Sequence, residues 1–331
     1  MTIMVTGGSG YIGSVTVEIL RAAGEDIVVV DDFYRGHESA LASDIPIYKG
    51  KVGDRELIRR IIKKHSIKAC VHFAALTYVG ESVENPLHYY ENNAVQTLTL
   101  IEELVRGKVE MMVFSSTAAT YGEPEYSPLD EMHPQCPENP YGWGKLFVER
   151  ALKSTAAAHG LRFVGLRYFN AAGASEDRGE DHIPESHLIP NVLFAAMGRR
   201  EKISVFGNNY ATPDGTPIRD YVHVVDLAEA HILALNHLRD GGVSEFVNLG
   251  NGKGYSVFEV IETARRVTKH SIQIDVQSPR IGDPSFLVAN SEKARKLLGW
   301  CPQFGELEQI VRSAWAWHNK YPHGYKDHHG I

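Results

Sequence analysis

Cysteine is scarce in this sequence, and its three cysteines, Cys70, Cys136 and Cys301, are far apart and odd in number. Neither a disulfide framework nor a zinc site follows from that spacing, and a reducing, cytoplasmic setting is expected. No apolar run approaches ~20 residues, so no segment is expected to span a membrane. The first residues run straight into a strand-like stretch, Thr2-Ile3-Met4-Val5, without a signal-peptide pattern. Basic tracts are missing as well. With a formal net charge of -7 the chain lacks the clustered Lys/Arg footprint of a nucleic-acid binder. Fixed-period repeats and low-complexity linkers are absent, so domains that share a cleft are expected rather than tethered modules. The sixteen histidines are scattered, apart from the pair His328-His329 in a polar tail, and no metal site is expected from them.

What is present is material for a core: 43% of the 331 residues are hydrophobic, ample for one large domain or two. Short apolar runs alternate with helical patterns through the first half. Ile3 to Thr6, Ile27 to Val30, Ala69 to Phe73, Met111 to Ser115 and Phe163 to Arg167 read as strands. Ser14 to Ala23, Leu57 to His65, Leu98 to Val105 and Tyr141 to Ala158 read as helices. Apolar strands separated by helices imply a parallel sheet covered on both faces, and right-handed crossovers make it doubly wound. After Asn170 the pattern loosens, and residues 174–190 and 207–217 are long polar connections of the kind that bind ligands. The expectation is an α/β chain with a Rossmann-type domain over 1–175. A smaller C-terminal α/β substrate domain covers 176–331, with some of its segments returning to the first domain.

Gly7, Gly10 and Gly13 lie between the first strand and the first helix. A tight turn there lets the backbone approach a pyrophosphate, and the helix N-terminus offers free N–H groups to it. Asp31 and Asp32 end the second strand; a carboxylate there accepts from ribose hydroxyls and repels a ribose phosphate, which favours NAD over NADP. The small residues of Phe73-Ala74-Ala75 allow close passage of the dinucleotide. Tyr141 and Lys145 are four apart, on one helical face. A nearby ammonium and a cationic nicotinamide ring would favour the tyrosine phenolate and make it a usable acid/base. Thr117, just beyond the strand ending near Ser115, is placed to share the same substrate hydroxyl.

These residues resemble the extended short-chain dehydrogenase/reductases, and within them the NAD-dependent epimerase/dehydratase family. The likeness runs from Thr6 to about Tyr325. It includes His72-Phe73-Ala74-Ala75, Tyr89-Tyr90-Glu91-Asn92-Asn93, Ser115-Ser116-Thr117, Leu166-Arg167-Tyr168-Phe169-Asn170, Pro184-Glu185-Ser186-His187-Leu188-Ile189-Pro190, Arg219-Asp220-Tyr221 and Arg280-Ile281-Gly282-Asp283. The resemblance implies C4 epimerisation of a UDP-hexose with tightly bound NAD in a cytoplasmic homodimer. It places Tyr11 and Ile12 at the pyrophosphate, Asn92 and Ser115 on the nicotinamide side, and Phe169 against the nicotinamide. It assigns Asn170, His187, Leu188, Val205, Phe206, Val257 and Asp283 to the UDP-sugar pocket, and Arg219 and Arg280 to its diphosphate. Leu287 would close the pocket around the sugar's C2 substituent.

Two departures stand out. Lys51, beside Val52 at the adenine end, occupies a position where the family commonly has aspartate, and Thr77 one where some members carry lysine near the cofactor. Trp143, two residues after Tyr141, is expected to face away from the site, into a helix-packed dimer interface. Dehydratases of the family have an Asp-Glu pair directly after the catalytic threonine; here Ala118 and Ala119 cannot move protons. That favours epimerisation. The alternatives are a UDP-N-acetylhexosamine 4-epimerase and a non-catalytic NAD-binding protein of the same fold.

Overall fold

Valine, isoleucine and methionine fill the runs that read as strands, and in the computed structural model, which describes residues 1–280 and 283–325, these runs are buried strands. Ile281 and Gly282 of the Arg280–Asp283 motif, and the pair His328-His329, lie outside the described residues. The strands are β1 (Thr2–Thr6), β2 (Asp26–Asp31), β3 (Ile47–Lys49), β4 (Ala69–His72), β5 (Met111–Thr117), β6 (Arg162–Tyr168), β7 (Asn170–Ala172), β8 (Ile203–Phe206), β9 (Ile218–His223), β10 (Glu245–Leu249), β11 (Gly254–Ser256), β12 (Ile274–Gln277) and β13 (Phe286–Leu287). The helices are α1 (Tyr11–Ala22), α2 (Arg55–His65), α3 (Val79–Glu84), α4 (Pro86–Tyr90), α5 (Gln96–Arg106), α6 (Pro140–His159), α7 (Leu188–Ala196), α8 (Val224–Arg239), α9 (Val257–Thr268), α10 (Glu292–Leu298) and α11 (Leu307–Lys320).

A seven-stranded sheet runs in the order β10-β6-β5-β4-β1-β2-β3, and every pair in it is parallel. Strand side chains alternate between two cores. Ile3, Val5, Val71 and Val113 pack on one face with Val17, Leu20, Leu227 and Leu235. Met4, Val28, Cys70 and Met112 pack on the other with Ile58, Ile61, Leu100 and Leu152. Burial on both faces is what the unbroken apolar runs demand. Strand order reverses between β1 and β4, and ligands of such sheets bind at that reversal, beyond the carboxyl ends of the strands.

The chain after Asn170 builds a separate small sheet. β9 is flanked by antiparallel β11 and by parallel β13 and β7, and β8 pairs with β12. Val192, Val260, Ile261 and Ile310 from α7, α9 and α11 form its core. Between these pieces the chain returns to the first sheet: α8 packs on α1, and β10 adds to β6. Among the described residues no helix is long and apolar enough to cross a membrane.

Helix α6 carries Tyr141 and Lys145, and its seating is specified at both ends. Pro140 opens it, the Asn139 side chain accepts from Gly142 N at 2.9 Å, and Gly160 closes it at φ +74°. Beneath it, Glu149 accepts from Arg167 Nε at 2.9 Å and Nη2 at 2.7 Å, from Ser116 Oγ at 2.5 Å and from Gln135 Nε2 at 3.0 Å. Both charges are buried, so removing one strands the other, a loss of roughly 3–5 kcal/mol. Glu149→Gln should therefore lower the unfolding free energy of the NAD-loaded protein, read from urea titration, by roughly 3–5 kcal/mol, with the urea midpoint falling accordingly. An unchanged midpoint would show that the pair does not anchor the helix.

Candidate active site

The glycine loop leaves β1 and enters α1 beneath a cleft of about 780 Å³, towards the upper end of the roughly 300–1,000 Å³ common for small-molecule sites. Gly7 has φ +71°, and a Cβ there would stand 2.4 Å from Ala74 N; one on Gly13 would stand 2.1 Å from Gly7 O. Only glycine permits that close passage. Gly10 is the N-cap of α1, with no side-chain cap and no acidic residue in the first turn. The first-turn N–H groups thus face the cleft with the helix dipole behind them. Such a cradle fits a pyrophosphate.

The other dinucleotide positions follow along the same cleft. Asp31, Asp32, Lys51 and Val52, expected at the adenosine end, line it, and so do Phe73, Ala74, Ala75, Thr77 and Asn92. The Asp31 carboxylate takes Ser9 N and Phe33 N, each at 2.9 Å. Burial raises its pKa, and those bonds oppose the rise. A carboxylate accepts about four bonds, so capacity remains for ribose hydroxyls. Lys51 is exposed at this end of the cleft and offers donors only, where the family commonly has a carboxylate.

Thr117 ends β5, where its Oγ1 accepts from Ala119 N at 3.1 Å and its hydroxyl is near enough to Tyr141 to act on the phenol's pKa. Both line the cleft, with Ala118 and Ala119 beside them. Lys145 sits one turn behind, buried, its Nζ donating to Ser115 O at 2.9 Å and lying 5.0 Å from the centre of the Phe114 ring. Burial pushes Lys145 down to about 7, with Glu149 opposing. Burial pushes Tyr141 up to about 12, with the Thr117 hydroxyl opposing. The side chains by themselves keep the proton on Tyr141; the expected phenolate calls for the positive charge of a nicotinamide ring as well as Lys145.

At the far end, Asn170, Phe169, His187, Leu188, Phe206 and Val257 line the cleft, as do Arg219, Arg280, Asp283 and Leu287. Arg219 pairs with Asp283, and the Arg280 guanidinium lies 4.0 Å over the Phe206 ring. Three expected residues lie outside the cleft lining: Lys145, buried one turn behind Tyr141, and Val205 and Ser115. Val205 alternates with Ser204 and Phe206 along β8, so its side chain points into the core of the small sheet. Ser115 is buried, with its Oγ 3.3 Å from His231 Nε2. It acts through its carbonyl, on Lys145. Trp143 is exposed and lies outside the cleft lining, as its helical position requires.

Several lining residues escaped the sequence reading. Tyr168, Tyr78, Glu180, His182, Glu185 and Lys202 all face the cleft. The available signal was the regular spacing Glu180-x-His182-x-x-Glu185-x-His187, hidden among many histidines.

Residues 3–250 match the model of the NAD dependent epimerase/dehydratase family. A UDP-glucose 4-epimerase of Halalkalibacterium halodurans is 52% identical over 327 residues, 98% of each chain. The crystal structure of UDP-glucose 4-epimerase from Bifidobacterium longum in complex with NAD+ and UDP superposes with a TM-score of 0.93 at 37% identity, covering 98% of this chain and 100% of that one. The one from Brucella ovis in complex with NAD gives 0.92 at 42% identity, over 95% and 97%. With the glycine cradle, the Thr117–Tyr141–Lys145 arrangement and these full-length likenesses in agreement, the chain belongs to the NAD dependent epimerase/dehydratase family.

Proposed function

We propose that the protein inverts C4 of a UDP-hexose, interconverting UDP-glucose and UDP-galactose through a transient 4-keto sugar with NAD retained throughout. One observation carries this reading: the groups that oxidise a hydroxyl, Thr117 and Tyr141, stand beside Ala118 and Ala119, which cannot complete an elimination. Residues 1–175 with the returning segment 224–249 hold the dinucleotide, and the remainder holds the UDP-sugar.

When bound, NAD supplies the hydride acceptor, a positive charge that offsets the burial of Tyr141, and the hydride donor for the return. Tyr141 Oη takes the C4 hydroxyl proton, while Thr117 Oγ1 holds the same oxygen. Lys145, its own proton loosely held by burial, keeps the tyrosine in register from behind. Arg219 and Arg280 bind the diphosphate through planar forks of donors, so the sugar alone turns. It then presents its other face, and Tyr141 Oη gives the proton back. No group beyond these is needed.

Leu287 supports the choice of plain hexoses. It is half-buried on β13, paired in register with Arg219, and packs on the cluster that contains Ala118 and Phe169. That puts it between the diphosphate end and the nicotinamide end, where the hexose ring lies. A hydrophobic contact of this kind discriminates by about 10–200-fold at most. Among other surfaces, Trp143 and Phe147 on α6 and Val83 and Leu87 on the adjacent α3 and α4 are exposed. This apolar face supports a homodimer built on packed helices, and the reading is of a cytoplasmic enzyme.

Tyr141→Phe should lose about 10²–10⁴ in turnover with bound NAD retained; near-normal turnover, or a dehydrated 4-keto sugar as the main product of the parent, would overturn the mechanism. The ratio of kcat/KM for UDP-galactose over UDP-N-acetylgalactosamine should exceed one in the parent and fall in Leu287→Ala. A ratio untouched by the substitution removes Leu287 as the gate. Light scattering should find the parent dimeric and Trp143→Glu/Phe147→Glu monomeric; a monomeric parent ends the dimer reading, and a variant that stays dimeric ends its placement on this face.

A further inference from the structure

The segment between β7 and α7 folds back on itself, so that Glu180 meets His187 seven residues later. Glu180, His182, Glu185 and His187 each offer one donor atom, and all four atoms lie within 4.8 Å of one another. His187 Nδ1 is 2.7 Å from Glu180 Oε1 and 2.9 Å from Glu185 Oε1. His182 Nδ1 is 3.2 Å from Glu180 Oε1 and 3.9 Å from Glu185 Oε2. Four donors at the ~2.0–2.2 Å bond lengths and tetrahedral angles of zinc stand roughly 3.3–3.5 Å apart. The observed spacings bracket that value, and shifts of up to about an ångström bring all four donors, which lie within 4.8 Å of one another, to that geometry.

A second observation points the same way. The Glu180 and Glu185 side chains are only 6% and 2% exposed, and Glu185 Oε2 is buried with no hydrogen-bond partner. A buried carboxylate oxygen that no N–H or O–H donates to is costly, and His182 Nδ1, 3.9 Å away, is too far to supply that bond. The neighbouring positive group, Arg35, is engaged by Glu81 Oε2 at 3.0 Å and lies 4.2 Å over the Tyr78 ring. The same carboxylate is oriented in advance: Ser186 N and His187 N both donate to its Oε1 at 2.7 Å. The segment itself is tied down, with Gly179 N donating to Tyr325 Oη at 3.1 Å and Tyr325 N to Asp181 Oδ2 at 2.8 Å.

We propose that Glu180, His182, Glu185 and His187 form a binding site for one divalent transition-metal ion of the zinc class. Two imidazole nitrogens and two carboxylate oxygens suit a borderline ion such as Zn²⁺ rather than the hard ions Mg²⁺ and Ca²⁺, which take oxygen ligands. Four protein ligands close the coordination sphere, which makes the site structural. His187 ligates through Nδ1, leaving Nε2 outside the donor set. The His182 ring lies 6.3 Å from that of Tyr11 and 6.0 Å from that of Tyr78, so the ion holds this segment folded beside two residues that line the cleft. It also neutralises two carboxylates where two diphosphates are proposed to lie.

The test uses the full-length, NAD-loaded chain, stripped with a chelator and dialysed against buffered micromolar Zn²⁺ alone. Elemental analysis should find one more zinc per chain in the parent than in His182→Ala/Glu185→Gln. Cys136, Cys301 and the tail histidines are common to both proteins, so the difference isolates the cluster. No zinc in the parent, or equal zinc in the two proteins, overturns the proposal. Should the double variant fail to fold, Co²⁺ added to the parent decides: intense visible bands of four-coordinate cobalt support the site, and the weak bands of six-coordinate cobalt refute it. None of these readouts requires turnover, so they are independent of the epimerase reading.

Discussion

A carboxylate and a guanidinium, both out of water, hold the reactive end of this protein together. Glu149 lies one helical turn beyond Lys145, and Arg167 is on the neighbouring strand β6, so their double contact fixes helix α6 in rotation and height against the sheet. Arg167 Nη1 also reaches Tyr121 Oη at 2.9 Å, and that hydroxyl donates to Asn248 on β10 at 2.7 Å. One buried network therefore links the tyrosine helix, the strand that carries Thr117 and the strand that returns from later in the chain. Buried pairs of this kind are weak sources of net stability, since desolvation consumes most of the attraction. Their value here lies in geometry: acid/base transfer needs heavy atoms within hydrogen-bond reach.

The two ends of the cleft are built on different principles. At the dinucleotide end the backbone does the binding, and side chains are removed to let it: Gly7, Gly13 and the uncapped first turn of α1. At the end proposed for the sugar, the long side chains of Arg219 on β9 and of Arg280 line the cleft, with Arg219 held by Asp283. A backbone cradle tolerates little change. Side-chain contacts such as Leu287 can vary with the substrate, which suits a family that handles related sugars.

Legibility in the sequence followed the same division. The first five strands to be recognised were readable because each is an apolar run with turn residues at its ends, and the glycine loop because close approach leaves no alternative residue. β3, β7, β11 and β13 are two or three residues long in the described structure, too short to carry a period. The line-up of Tyr141 with Thr117 was visible as spacing and order. Its electrostatics were not: the upward push on Tyr141 comes from burial, which no local pattern reports. Val205 was misplaced because motif likeness names positions without saying which way a strand residue faces, whereas a period of two assigns it to the core. The Glu180–His187 cluster depends on a loop folding back, information held in contacts to α11 and the Tyr325 region rather than in the segment itself.

The return of β10 to the large sheet has a consequence for how the chain is made. β6 pairs with β5 on one side, and its other side is filled by β10, whose first residue is Glu245. A nascent chain that has just emerged past Tyr168 therefore presents a bare strand edge, with Phe246, Val247 and Leu249 still unmade. Such edges recruit other strands, including those of neighbouring chains. The intervening small-sheet segments must be synthesised before the edge closes, so the dinucleotide half cannot mature ahead of the sugar half. Birth order, not only final contacts, ties the two binding regions into one folding event.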